Sequence, residues 1–296
     1  MPASRSDSAV FDRAAPIFFV LLWSTGWIVA RFSADYADPL TFLCVRFGGA
    51  ALAIFAIVFL SRASFPKRPA EIGHALVSGV LLHAIYLGGV WWAVRRGLPA
   101  SVSALLAAVQ PIATAILAPF ILGERTSLRR FGGVALGLIG LALVLSPKLT
   151  TTSFGPGFAW PVAVNIFAML GATAGFFYQK HFQPSGDLRA IAGLQYIGAL
   201  IAIAPFAYFL EPMHIAWNLT MALVLVWSVL ALSIGAIWLL LLLIRHGEVS
   251  RAAQLIYLVP PTAAAQAYFL FGEELSILQI AGMAITAMGV AIANRR

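Results

Sequence analysis

The sequence predicts an all-α integral membrane protein, with ten transmembrane helices in two inverted five-helix repeats, and three observations predict it. First, 61% of the 296 residues are hydrophobic, only 10% are charged, and the mean hydropathy is +0.92. Apolar runs long enough to cross a hydrocarbon core of roughly 30 Å recur along the chain, and a soluble protein of this size would lack the polar surface to cover them. Second, one stretch occurs twice at a fixed offset close to half the chain. Pro111 then meets Pro260, Gly123 meets Gly272, Glu124 meets Glu273, Ser127 meets Ser276, Gly133 meets Gly282 and Gly140 meets Gly289, a duplication signature rather than shared composition. Third, the polar segment of the first copy carries Arg125, Arg129 and Arg130, whereas its counterpart at Glu273-Glu274 has no basic residue. Five helices per half is an odd number, so the second copy enters the membrane upside down.

The spans are placed at 16–33, 39–61, 71–93, 98–121, 128–146, 157–179, 188–210, 219–244, 249–271 and 276–293. They are joined by turns such as Ala37-Asp38-Pro39, Ser146-Pro147-Lys148 and Glu211-Pro212. The longest connection, 146–156, lies at the midpoint and divides the chain into repeats at 14–146 and 157–293. Connections this short leave no room for a soluble catalytic domain. The N-terminal residues have no signal-peptide layout, so the first span is expected to be retained.

The formal charge of +8 does not point to nucleic acid, because Lys and Arg sit in small groups between apolar runs rather than on one basic face. With the N-terminus in the cytoplasm, only Arg31, Arg95, Arg96 and Lys148 fall on the outer side, and all other Lys and Arg except Arg46 fall on the inner side. This positive-inside bias places both termini in the cytoplasm. The single cysteine, Cys44, excludes a disulfide framework and a thiolate metal cluster. No metal ligand set and no cofactor is expected. A nucleophile, base or metal constellation is likewise missing, so no catalytic residue is assigned and an enzyme is not predicted.

Span by span, the intramembrane polar and aromatic residues are few. Span 1 has Trp23 and Trp27 four apart on one face, with Gly26 leaving room beside them. Span 2 carries Arg46, which either binds an anionic group of a substrate, snorkels, or pairs with helix-end carbonyls. Span 3 carries His83 with Tyr86 one turn later, either a path lining or a structural pair. Spans 4 and 9 carry mid-span prolines, Pro111 and the pair Pro260-Pro261, whose freed carbonyls and bends suit gating. Gln110 adjoins the first kink, and Gln254 and Tyr257 line up with the second. Span 6 contributes Asn165 and Tyr178, with Gly171 and Gly175 as a close-packing pair, and span 8 contributes Trp227 and Trp238 on one face. Spans 5 and 10 are rich in Gly, Ala and aliphatics and read as packing helices rather than substrate binders. No Asp or Glu lies deep in any span, which disfavours a cation pump and a carboxylate-based proton antiporter.

The motifs WSTGWIVAR at 23–31, DPLTFLCVRF at 38–47, QPIATAILAPFILGER at 110–125 and PPTAAAQAYFLFGEE at 260–274 together resemble the drug/metabolite transporter superfamily, in its ten-helix branch with two EamA-type domains. The resemblance covers about 14–293 and is nearest to bacterial exporters of aromatic amino acids. It makes Arg46 the recurrent span 2 arginine and implies a cavity lined by spans 1, 3, 4, 6, 8 and 9. One departure is the second aromatic in Trp23-Ser24-Thr25-Gly26-Trp27, where many relatives place Asn or Phe after Trp-Gly.

The function expected is a secondary carrier in the bacterial inner membrane that exports amino acids, aromatic and other neutral ones, by alternating access. Its partners are the small-molecule substrate and the lipid bilayer, not nucleic acid; monomer and dimer both stay open. No Walker motif is present, so ATP is not the direct drive. An exporter of hydrophobic drugs or other small metabolites is the rival within transport. A non-transporting membrane receptor or scaffold is the rival outside it.

Overall fold

The computed structural model describes residues 5–122, 127–150, 157–182, 185–235, 239 and 258–294. In chain order the helices are α1 (Arg5–Ala34), α2 (Pro39–Leu60), α3 (Pro69–Gly79), α4 (Tyr86–Arg95), α5 (Ala100–Leu106), α6 (Val109–Leu122), α7 (Leu128–Thr150), α8 (Ala159–His181), α9 (Leu188–Leu210), α10 (Leu219–Val226), α11 (Val259–Phe271) and α12 (Ile277–Asn294). A π-helical segment, Val80–Ile85, joins α3 to α4, and a second, Trp227–Gly235, continues α10. Six of the resulting helical stretches are long and apolar enough to cross a membrane: Ile17–Ala34, Pro39–Leu60, Pro69–Arg95, Ala100–Ile121, Ala159–His181 and Leu188–Leu210. Shorter apolar helices cover Phe131–Val144, Leu219–Gly235 and Ile277–Ile292, and α11 supplies the described part of span 9. Among the described residues there is no strand, only an isolated bridge between Ala37 and Ile215.

The helix bounds differ most from the sequence reading at two places: α1 begins at Arg5, ahead of the span start at 16, and α7 runs past the span end at 146. The turn expected at Ser146-Pro147-Lys148 is helix, because α7 runs on to Thr150. Pro147 cannot donate to the carbonyl of Leu143, but the Ser146 hydroxyl donates to it instead at 3.0 Å, which keeps that carbonyl satisfied past the proline.

The contact between α7 and α12 has a local two-fold character. In α7 and α12, Gly140 abuts Gly282 and Thr286, while Gly289 abuts Gly133 and Gly137. Since Gly133 and Gly140 are the repeat counterparts of Gly282 and Gly289, the contacts exchange between equivalents, as two-fold symmetry requires. The small residues let the two backbones touch, which in a bilayer replaces the hydrophobic drive lacking between apolar helices. The π-helical segments obey the same relation: Val80 and Ile85 correspond by the repeat to Val229 and Ile234. On α8, Gly171 receives Ile85 and Gly175 receives Leu81 and Leu82, so the expected small-residue pair is the seat of the first π segment.

Carboxylates join the halves at one end of the bundle. Glu211, after α9, accepts from the backbone N–H of Leu40 at 2.9 Å and of Thr41 at 2.8 Å, and from the Thr41 hydroxyl at 2.8 Å. Glu273, after α11, accepts from the N–H of Ala100 at 3.1 Å and of Ser101 at 2.9 Å, and from the Ser101 hydroxyl at 2.6 Å. Both satisfy the free amides of a helix start, where the dipole favours negative charge.

Candidate functional site

The cavity of interest forms where span 4 is interrupted. α5 ends at Leu106, and the chain makes a turn at Ala107-Ala108 before α6 begins at Val109. Pro111 is the cause, since it has no N–H to return to the carbonyl of Ala107. That carbonyl instead accepts from the N–H of Gln110 at 3.1 Å, a tighter turn. The space beside the break is small in this structure, about 70 Å³. It is lined by Trp23 and Trp27 of α1, Tyr86 of α4, Leu105, Ala107 and Ala108 around the break, and Gln110 and Pro111 of α6. Val259, Pro260 and Pro261 of α11, Val144 of α7, and Met283, Thr286, Ala287 and Val290 of α12 complete it.

No charged side chain is among these. The polar groups are few and placed: Gln110 lies beside Tyr86 and its amide donates weakly to the Met169 sulfur at 3.6 Å. The Thr286 hydroxyl donates to the Gly282 carbonyl at 2.8 Å. Trp27 is only 5% exposed, yet its indole Nε1–H has no hydrogen-bond partner. A buried donor of that kind is costly unless something accepts from it.

Of the residues singled out in the sequence, the cavity brings together Trp23, Trp27, Tyr86, Gln110, Pro111, Pro260 and Pro261. Pro260 and Pro261 stand in the first turn of α11. Five others sit elsewhere. Arg46 is buried in α2 with its guanidinium 5.2 Å from the centre of the Trp91 ring. His83, inside the first π segment, stacks on Tyr196 of α9 at 4.5 Å and 10°. Asn165 is fully buried and donates to the Ser103 hydroxyl at 2.7 Å, which ties α8 to α5. Tyr178, near the end of α8, pairs with His74 Nδ1 at 2.8 Å. Trp227 is 46% exposed and donates to the Thr25 hydroxyl at 3.0 Å. Gln254, Tyr257 and Trp238 lie outside the described residues.

Spans 5 and 10, read as packing helices, also line the cavity through Val144, Met283, Thr286, Ala287 and Val290. The signal was present: the four residues of α12 fall at i, i+3, i+4 and i+7, one helix face, next to the face of Gly282 and Gly289. Glycine-rich composition masked that stripe. The lining implied by resemblance therefore shifts, with spans 5 and 10 present and spans 6 and 8 absent from it among the described residues.

Comparisons with known proteins agree with this architecture. A protein of Salmonella typhimurium named "Probable amino-acid metabolite efflux pump" is 25% identical over 291 residues, 95% of this chain and 94% of that protein. The Escherichia coli protein of the same name is 25% identical over 293 residues, again 95% of this chain and 94% of its own length. A solved crystal structure superposes with a TM-score of 0.67 at 18% identity, covering 98% of this chain and 97% of the other, which is a likeness of fold. The profile of the EamA-like transporter family matches twice, over residues 15–146 and 159–295. A family match repeated head to tail over nearly the whole length, on a bundle of apolar helices, makes this chain a member of the EamA-like transporter family.

Proposed function

We propose that this transporter exports neutral amino acids, aromatic ones above all, from the cytoplasm across the bacterial inner membrane by alternating access. The observation that carries the proposal is the uncharged, aromatic cavity at a helix break. An amino acid is a zwitterion, so it needs oriented dipoles more than a net charge, and the interrupted span turns the start of α6 toward the cavity. Trp23, Trp27 and Tyr86 offer ring faces to an aromatic side chain, a gain of about 2–3 kcal/mol over a small one. The names of the two bacterial relatives point to the same class of substrate. By the sequence, Gln254 and Tyr257 extend the lining, and repeats 14–146 and 157–293 are the two bodies that rock. The breaks at Pro111 and at Pro260-Pro261 are the gating elements, and the distribution of Lys and Arg puts both termini in the cytoplasm.

The same cavity argues against a proton-driven cycle. Among the described residues its lining has no carboxylate and does not include His83, which favours a facilitator running down the substrate gradient. Proteoliposomes loaded with labelled Phe, Thr and tetraethylammonium test the reading. Phe should leave fastest, Thr more slowly, and the amine at the rate of protein-free vesicles. Loss of the amine with retention of Phe would replace this reading with that of a drug exporter.

A further inference from the structure

Among the described residues Arg46 is the one buried charged side chain, 5% exposed, and no carboxylate pairs with it. Its Nε and Nη1 are buried without hydrogen-bond partners. The group it does touch, the Trp91 ring, is 2% exposed and has a buried, unpartnered donor of its own at Nε1. Trp91 is held in place by stacking on Phe42 at 6.2 Å and 13°. Tyr86, Tyr196 and His83 also lie within electrostatic range of the guanidinium. A ring face attracts a cation, but it accepts no conventional hydrogen bond and leaves the desolvation of the charge largely uncompensated. Two donors of a fixed cation and one of the ring beside it are therefore buried without partners, and the groups around them include phenols but, among the described residues, no carboxylate. That is the donor set of an anion site.

We propose that the buried donors of Arg46 and Trp91 bind a small monovalent anion, either free chloride or the carboxylate of the transported amino acid. The second source rests on the function proposed above; the first does not. Tyr86 links these donors to transport, because it both lies within electrostatic range of the Arg46 guanidinium and is part of the cavity lining. A substrate in the cavity is then one side chain away from the only buried cation among the described residues. Its amino group, with no acid in the lining, is left to backbone carbonyls and the Gln110 amide oxygen.

The test is thermal unfolding of the purified full-length protein in detergent, in sodium gluconate exchanged at constant ionic strength for sodium chloride or sodium formate. The wild type should show a saturable rise in melting temperature with both small anions. Arg46→Gln should lose the rise. Arg46→Lys, which keeps the charge but not the fork of donors, should raise the half-saturating concentration by about tenfold or more. Trp91→Phe, which removes one N–H and keeps an aromatic ring, should also weaken it and covers the case in which Arg46→Gln fails to fold.

Phenylalanine and phenylalaninol, added in gluconate, distinguish the sources. A carboxylate occupant makes the Phe shift depend on Arg46, compete with chloride and vanish for phenylalaninol. A free anion makes the chloride and Phe shifts additive. No shift with chloride or formate in the wild type, or an undiminished one in Arg46→Lys and Trp91→Phe, overturns the site. Because chloride and formate need no amino acid to act, that failure is separate from a failure of Phe to bind or move.

Discussion

Trp27 is the residue on which the cavity's chemistry is expected to turn, since it lines the cavity and its buried N–H has no partner. Trp27→Ala should weaken Phe by about tenfold or more and Thr by much less, because only Phe loses ring burial. Trp27→Phe should keep most of the preference for aromatics while losing affinity for both, a split measurable by competition against labelled Phe. Trp27 was legible in the sequence because an i, i+4 pair of indoles within an apolar span shares a face, and Gln110 because it adjoins a mid-span proline. The joint role of His83 and Tyr86 was not legible. In a regular α-helix they would share a face, but the π segment ending at Ile85 widens the turn between them. His83 consequently stacks on Tyr196, while Tyr86 reaches the cavity. Nothing in the composition of Val80–Ile85 announces a π-helix, which packs against Gly171 and Gly175.

Two elements are most open to test. At the contact of α7 and α12, a Cβ on Gly140 would meet Thr286 and the Gly282 carbonyl, so Gly140→Ala must push the helices apart. We expect a loss of about 1–3 kcal/mol, read as a lower unfolding midpoint in micelles. In span 4, Pro111→Ala should restore a donor for the Ala107 carbonyl and join α5 to α6. The protein should then fold and bind Phe but transport it more slowly; unchanged flux would make the break structural only. Most spans could be placed from hydropathy because each is a long apolar run with polar ends. The break at Ala107-Ala108 follows from Pro111, whereas the continuation of α7 through Pro147 depends on one serine hydroxyl that sequence patterns do not reveal. The lining role of α12 was obscured for a related reason, since one helix presents both a glycine seam and a Met-Thr-Ala-Val stripe on adjacent faces.

For the whole molecule, the repeat and the exchange of glycine contacts between α7 and α12 fit an inverted arrangement of the two halves, and the Lys and Arg distribution predicts its orientation. Single cysteines at Thr126 and Ser276, placed in a Cys44→Ser protein, should react with an impermeant thiol reagent from opposite faces of the membrane. Reaction of both from one face would contradict the inverted arrangement. The central claim, that one cavity carries amino acids alternately to each side, is tested most directly by counterflow. Liposomes holding the wild-type protein and excess unlabelled Phe should accumulate external labelled Phe transiently above its outside concentration, with no ion gradient imposed. Equilibration without an overshoot, or Phe binding with no uptake of label, would contradict the account.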